Sequence, residues 1–182
     1  VSLWAALDWR TVVRRAAMVV CAVTIGMLVF PRVMAPLVND RSQTLAERRL
    51  ETDLLAGVAP LGGAIPAGTP VALLEIPGIG LHSAAVEGTA AEQLVTGPGH
   101  LQGSALPGQV GISAFVGRSS TFGAEFSRLD EIKVGDTISA TTAQGASTYK
   151  VIDITRRSAD DAAAFVGEGN MLILVTSTGG SS

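Results

Sequence analysis

The sequence predicts an all-β domain, a β-barrel or sandwich of short strands with a few helical turns, preceded by one apolar N-terminal helix. Three observations carry that expectation. From Val71 onward, short runs of Val, Ile, Leu and Ala alternate with Gly/Pro turn signals, giving at least six strands with short connections. Most of the 21 glycines lie after residue 56, which suits strands and turns better than a helical bundle. An unbroken apolar run, Ala16 to Phe30, lies well before the first strand.

Composition narrows the function classes. Of 182 residues, 47% are apolar and 16% charged, so the chain can bury a core and is too apolar to be disordered. A net charge of −3 gives no basic footprint, and nucleic acid is not an expected partner. The single cysteine, Cys21, lies in the most apolar stretch. One thiol makes neither an intramolecular disulfide nor a Cys-based metal site, and His82 and His100 have no His or Cys neighbour at ligand spacing. No metal and no cofactor is expected. An ordinary cysteine enzyme is excluded, because the globular part contains no cysteine.

Arg14 and Arg15 precede the apolar run, and Pro31 and Arg32 close it. A helix over Ala16–Phe30 is about 22 Å long, short of a hydrocarbon core of roughly 30 Å, but flanking valines extend it and the arginines can snorkel. A cleaved signal peptide fits the charge pattern, yet Pro36 after Val33-Met34-Ala35 obstructs cleavage. A buried soluble helix fits the length alone. The reading adopted is an uncleaved signal anchor: residues 1–38 form a cytoplasmic N-terminus and transmembrane helix. The following domain then lies outside the cell, because long C-terminal domains cross regardless of flanking charge. Residues 39–70 read as a stalk. Thr44 and Glu47 fit a capping box that starts a short solvated helix, and Gly57–Pro70, rich in Gly and Pro, is a linker.

The domain proper spans 71–182. Val71–Ile76 is a strand, Pro77-Gly78 a turn, and Ile79–Val86 a second strand. Ala90–Val95 is a short helical piece, and 97–108 a Gly/Pro-rich loop. Val110–Val116 is a strand and Gly117–Gly123 a polar loop. Phe126 and Leu129, at i, i+3 spacing, put helical turns in Ala124–Ile132. Thr137–Thr142 and Ser147–Thr155 are strands around a hairpin turn at Gln144-Gly145. Asp160–Phe165 reads as a helical turn, and Met171–Thr176 as the last strand.

Several of these segments resemble the sortase family, the membrane-anchored cysteine transpeptidases of Gram-positive bacteria. Ile76-Pro77-Gly78-Ile79-Gly80-Leu81 with Val86-Glu87-Gly88-Thr89 looks like the family's early strands. Gly97-Pro98-Gly99-His100 and Gly103-Ser104-Ala105-Leu106-Pro107-Gly108-Gln109 are similar to its G-P-G-H…G-[ST]-A-L-P-G loop. Thr121-Phe122-Gly123-Ala124-Glu125-Phe126, then Leu129 and Gly135-Asp136, looks like the segment after the catalytic histidine. Leu174-Val175-Thr176-Ser177 resembles the L-V-T-C nucleophile strand. The likeness runs from about residue 70 to 178, in the family's order.

The resemblance implies an eight-stranded barrel and transpeptidation that anchors proteins to the cell wall. It implies a thioester formed by cysteine, with histidine as acid and base and arginine steadying the oxyanion. Here Ser177 stands at the cysteine position and Arg118 at the histidine position. The arginine belongs to a strand after the nucleophile, and the sequence reaches Ser182 before it, so the closing strand of the barrel is expected to be missing. Leu172–Thr176 would then be an apolar edge open to aggregation. The expectation is a sortase-like surface protein without cysteine transpeptidase activity that binds sorting-signal peptides. The alternative is a serine-dependent acyl transferase or hydrolase that uses Ser177 with another base.

Serine needs a positioned base, which a permanently protonated arginine cannot supply. Ser177 alternatively reads as a small strand-end residue, and Arg118 as a surface cation able to pair with a peptide carboxylate. Thr176 and His100 are candidates for the substrate groove. His100 otherwise reads as a loop histidine bonded to backbone, His82 as an exposed strand residue, and Asp160 and Asp161 as solvated carboxylates.

Overall fold

The computed structural model describes residues 9–61, 63–120, 124–156 and 169–177, with backbone alone at residues 11 and 28–39. The chain divides into two compact units, Val1–Leu37 and Val38–Ser182. The first is the start of helix α1, Trp9–Leu55. Its described apolar side chains, among them Val13, Met18, Val19, Val20, Val23 and Met27, are exposed. Among the described residues no helix is long and apolar enough to cross a membrane. The apolar run Ala16–Phe30 continues into residues 28–30, whose side chains lie outside the described set.

In the second unit the end of α1 differs from the solvated stalk helix expected from sequence. No helix begins at Thr44: its hydroxyl donates to the Asp40 carbonyl at 2.8 Å, one turn back inside the same helix. Nor is this stretch solvated all round. Gln43, Ala46 and Leu50 are buried, at i, i+3, i+7 spacing, so one stripe of the helix faces the domain. Leu45 and Leu55 point to solvent.

Seven strands among the described residues form one sheet in the order β6-β5-β1-β2-β3-β4-β7. They are β1 Pro70–Ile76, β2 Leu81–Glu87, β3 Gly99–His100, β4 Ile112–Gly117, β5 Thr137–Thr142, β6 Gly145–Lys150 and β7 Met171–Thr176. A 3₁₀ turn, Pro77–Ile79, joins β1 to β2, with Gly80 in the left-handed region at φ 67°. The strands β1 and β2 pair antiparallel, as do β1 and β5, β5 and β6, and β3 and β4. By contrast β2–β3 and β4–β7 are parallel, as their long connections require. The core holds Leu74, Ile76, Leu106, Phe115, Phe126 and Ile138.

Several boundaries move relative to the sequence expectation. Gly99–His100, placed in a loop, is a two-residue strand. The hairpin turn falls on Ala143-Gln144, because Thr142 pairs directly with Gly145. β6 stops at Lys150, and Ile152 and Ile154 are exposed rather than paired. Asp160–Phe165 lies outside the described residues.

Candidate active site

The site is set by the parallel ladder of β4 and β7. Six residue pairs run in register from Ile112↔Met171 to Gly117↔Thr176. Parallel pairing brings both strands out on the same side, so Arg118 and Ser177 are the first residues beyond matched ends. Side chains tie the ends together. The Thr176 hydroxyl donates to the Gly117 carbonyl at 2.9 Å, and the Ser119 hydroxyl donates to the carbonyl of Ser177. Ser177 is exposed.

Gly117 is required by close approach. A Cβ there would lie 2.4 Å from the Phe126 ring, which closes the core beneath the strand end. The Arg118 carbonyl accepts the Phe126 N–H at 3.1 Å, fixing the turn. The half-buried Arg118 side chain donates from Nη2 to the Ala91 carbonyl at 2.9 Å. The loop before the short helix α2, Gln93–Thr96, therefore forms one wall of the site.

Ser177, Thr176 and Arg118 are thus brought together, and His100 is not. His100 pairs with Phe115 on the other side of β4. That is roughly 10 Å across the sheet and roughly 10 Å along it from position 177. Nor does His100 line an open groove or sit on a surface loop, as the sequence suggested. It is 2% exposed, with Nδ1 2.7 Å from Glu87 Oε2 and Nε2 within 2.9 Å of Ser104 Oγ and 3.1 Å of the Ala105 carbonyl. His82, on β2, is exposed and lies 3.1 Å from Glu75 Oε1. Asp160, Asp161 and Thr121-Phe122-Gly123 lie outside the described residues. No group of three or more His, Cys, Asp or Glu among the described residues could hold a metal ion.

Sequence reasoning passed over Glu87, Ser104 and Ser119. Glu87 carried a signal: it is the lone acid ending an otherwise uncharged strand interior, and such a residue buries only with a partner. Ser119 carried none, because only the β4–β7 register places it beside Ser177. Chemically, the matched strand ends offer a hydroxyl and a guanidinium. They offer neither thiolate nor imidazole.

The fold and these motifs agree with known proteins. The sequence profile of the Sortase domain matches residues 74–180. No curated protein matches the chain. Among solved structures, a sortase D5 transpeptidase from Clostridium perfringens is similar in fold, at 24% identity and TM-score 0.62, covering 78% of this chain and 89% of that one. Sortase E from Streptomyces avermitilis is 28% identical with TM-score 0.55, covering 62% of this chain and 82% of its own. Sortase C of Clostridium perfringens, solved with the C-terminal cell wall sorting motif, shares the fold at 21% identity and TM-score 0.56, covering 82% and 89%. With the profile spanning more than half its length and the seven-stranded sheet in place, the chain belongs to the sortase family.

Proposed function

We propose that this protein binds sorting-signal peptides at the joint end of β4 and β7 without acting as a cysteine transpeptidase. One observation carries the reading: the β4–β7 register sets Ser177 beside Arg118, with no imidazole at either strand end. Arginine stays protonated and cannot take the serine proton. Its guanidinium can instead pair with a peptide carboxylate. The Clostridium perfringens sortase C solved with a sorting motif supports a peptide of that class as the ligand.

In this reading residues 1–38 anchor the chain in the membrane, 39–70 link, and 71–182 form the sortase-like domain outside the cell. The ring of exposed Val, Met and Ile side chains on the first turns of α1 supports the anchor, since a helix apolar all round needs an apolar surround. Membrane fractionation with protease protection of intact cells tests the placement. A domain shielded from external protease would refute it.

The experiment for the site uses the detergent-purified full chain, a fluorescent sorting-motif peptide and an acyl-reactive probe. Anisotropy should report binding, and an Arg118→Gln variant should weaken it. Labelling or turnover that depends on Ser177 would replace this reading with a serine-dependent acyl transferase or hydrolase. Absence of peptide binding would remove the ligand assignment.

A further inference from the structure

We propose that Ser104, His100 and Glu87 form a second, serine-type acyl-transfer site, opening on a surface depression that accepts an uncharged acyl ester. It lies at the other end of β4 from Ser177. The order of contacts is that of nucleophile, base and orienting acid. Ser104 Oγ is 2.9 Å from His100 Nε2, and His100 Nδ1 is 2.7 Å from Glu87 Oε2. A carboxylate only accepts, so Nδ1 carries the proton toward Glu87; Nε2 faces both Ser104 Oγ and the Ala105 carbonyl, and it serves as the base in the neutral form of the ring. The ring cannot swing away. His100 and Glu87 are 2% and 4% exposed, and the Phe115 ring lies tilted against the imidazole at 5.1 Å between centroids.

Ser104 is half-buried and lines a broad, open depression of ≈ 740 Å³. Leu101, Ala105, Val110 and Ile112 give the depression an apolar wall, and none of its described lining residues is charged. That wall suits a short aliphatic acyl group with a neutral leaving group. The serine hydroxyl donates to the Leu101 carbonyl at 2.7 Å, and a turn about its C–O bond would direct the proton to His100 Nε2 instead. The Ala114 N–H, 3.3 Å from Ser104 Oγ, favours negative charge on that oxygen. The Ala105 carbonyl, 3.1 Å from Nε2, accepts the proton that Nε2 holds after transfer.

The step balances as follows. Ser104 Oγ gives its proton to Nε2 and bonds to the ester carbonyl carbon. The ester C–O bond breaks, and the alcohol leaves with the proton from Nε2. Water then attacks the acyl carbon, its proton passing to Nε2. The carboxylic acid leaves as Oγ takes the proton back. Ser104 and His100 are the catalytic residues, and Glu87 is a positioning residue.

The test treats the full chain with a fluorophosphonate probe and maps the adduct by mass spectrometry. It also follows hydrolysis of p-nitrophenyl butyrate. The expected result is an adduct on Ser104, and a loss of about 10²-fold or more in kcat/KM for Ser104→Ala. Glu87→Gln should lower kcat with KM unchanged, which a general loosening of the depression would not produce. The adduct on the unsubstituted chain decides the matter even where Ser104→Ala fails to fold. A folded chain that yields no adduct on Ser104, or one on Ser177 alone, overturns the proposal. So does a folded Ser104→Ala variant with undiminished hydrolysis. Peptide binding at the Arg118 end is measured separately, so the two assignments fail independently.

Discussion

Replacing Gln43 with alanine should remove the peg that fixes the end of α1 to the sheet. The Gln43 amide substitutes for a strand that is not there. Strand β3 reaches β2 only at Val86 and Glu87, which leaves the backbone of Ala84 unpaired on that edge. Gln43 Oε1 accepts the Ala84 N–H at 3.0 Å, and Nε2 donates to the Ala84 carbonyl at 3.2 Å and to the carbonyl of Thr96. Alanine leaves all three backbone groups without that partner. A buried polar group left unsatisfied costs ~1–3 kcal/mol, and water entering the vacated space favours the low end, so the sum is about 3 kcal/mol. For a domain of this size that lowers the melting temperature by roughly 6–12 °C. The measurement is urea and thermal unfolding of the full chain by far-ultraviolet circular dichroism, with the exposed Thr44→Ala as control. Gln43→Glu should be worse than alanine, because it sets a carboxylate against two carbonyl oxygens. A Gln43→Ala loss no larger than that of Thr44→Ala would refute the docking of this helix on β2.

Other outcomes follow from single contacts. Gly117→Ala places a Cβ 2.4 Å from the Phe126 ring and should cost about 1–3 kcal/mol in urea unfolding. An undiminished midpoint would mean that the ring is not seated under the strand end. In a Cys21→Ser background, Ser177→Cys should alkylate with iodoacetamide, and adding Arg118→His should change the rate several-fold by altering the charge beside the thiol. Equal rates would place positions 118 and 177 apart. Arg128 grips Glu131 through both carboxylate oxygens, at 2.9 and 2.7 Å, and that hydrogen bonding holds the Glu131 carboxyl below its ordinary range. The pair's contribution is therefore present above the unfolded carboxyl's pKa of about 4.3 and lost as pH falls through the lower folded value. The parent and Glu131→Gln unfolding midpoints should differ slightly at neutral pH and converge in acid. A gap that widens in acid would contradict the assignment.

Much of the sheet was legible because strand and turn residues agree locally. Val71–Ile76 and Met171–Thr176 are continuous apolar runs, and they form β1 and β7 with the expected ends or within a residue of them. The hairpin slipped by one position because Gly145, at φ 109°, reads as a turn residue while serving as the first residue of a strand. The short strand at Gly99–His100 was hidden because two residues carry no periodicity, and only the ladders on either side define it. The family motifs singled out Ser177 and Arg118, and the β4–β7 register is what sets the two positions side by side. Their hydrogen-bond partners were not foreseen, since Ala91 and Ser119 meet them only through the fold. Gln43 stayed invisible for a related reason: a glutamine on a polar helix looks solvated until a strand edge is set against it.

The parallel joining of β4 to β7 also has a kinetic side. Gly117 and Thr176, bonded through a hydroxyl, are 59 residues apart in the chain. The other ladders involve strands that leave the ribosome earlier, and most of them close over shorter loops. A six-stranded intermediate can therefore form while β7 is still unplaced, and docking of β7 closes one of the two long loops of the sheet, the other being the one that joins β1 to β5. The joint end of β4 and β7 is then completed after the other six strands have paired. Until then, β4 presents a bare edge on which another strand can compete, and the rate of β7 docking sets how long that competition lasts.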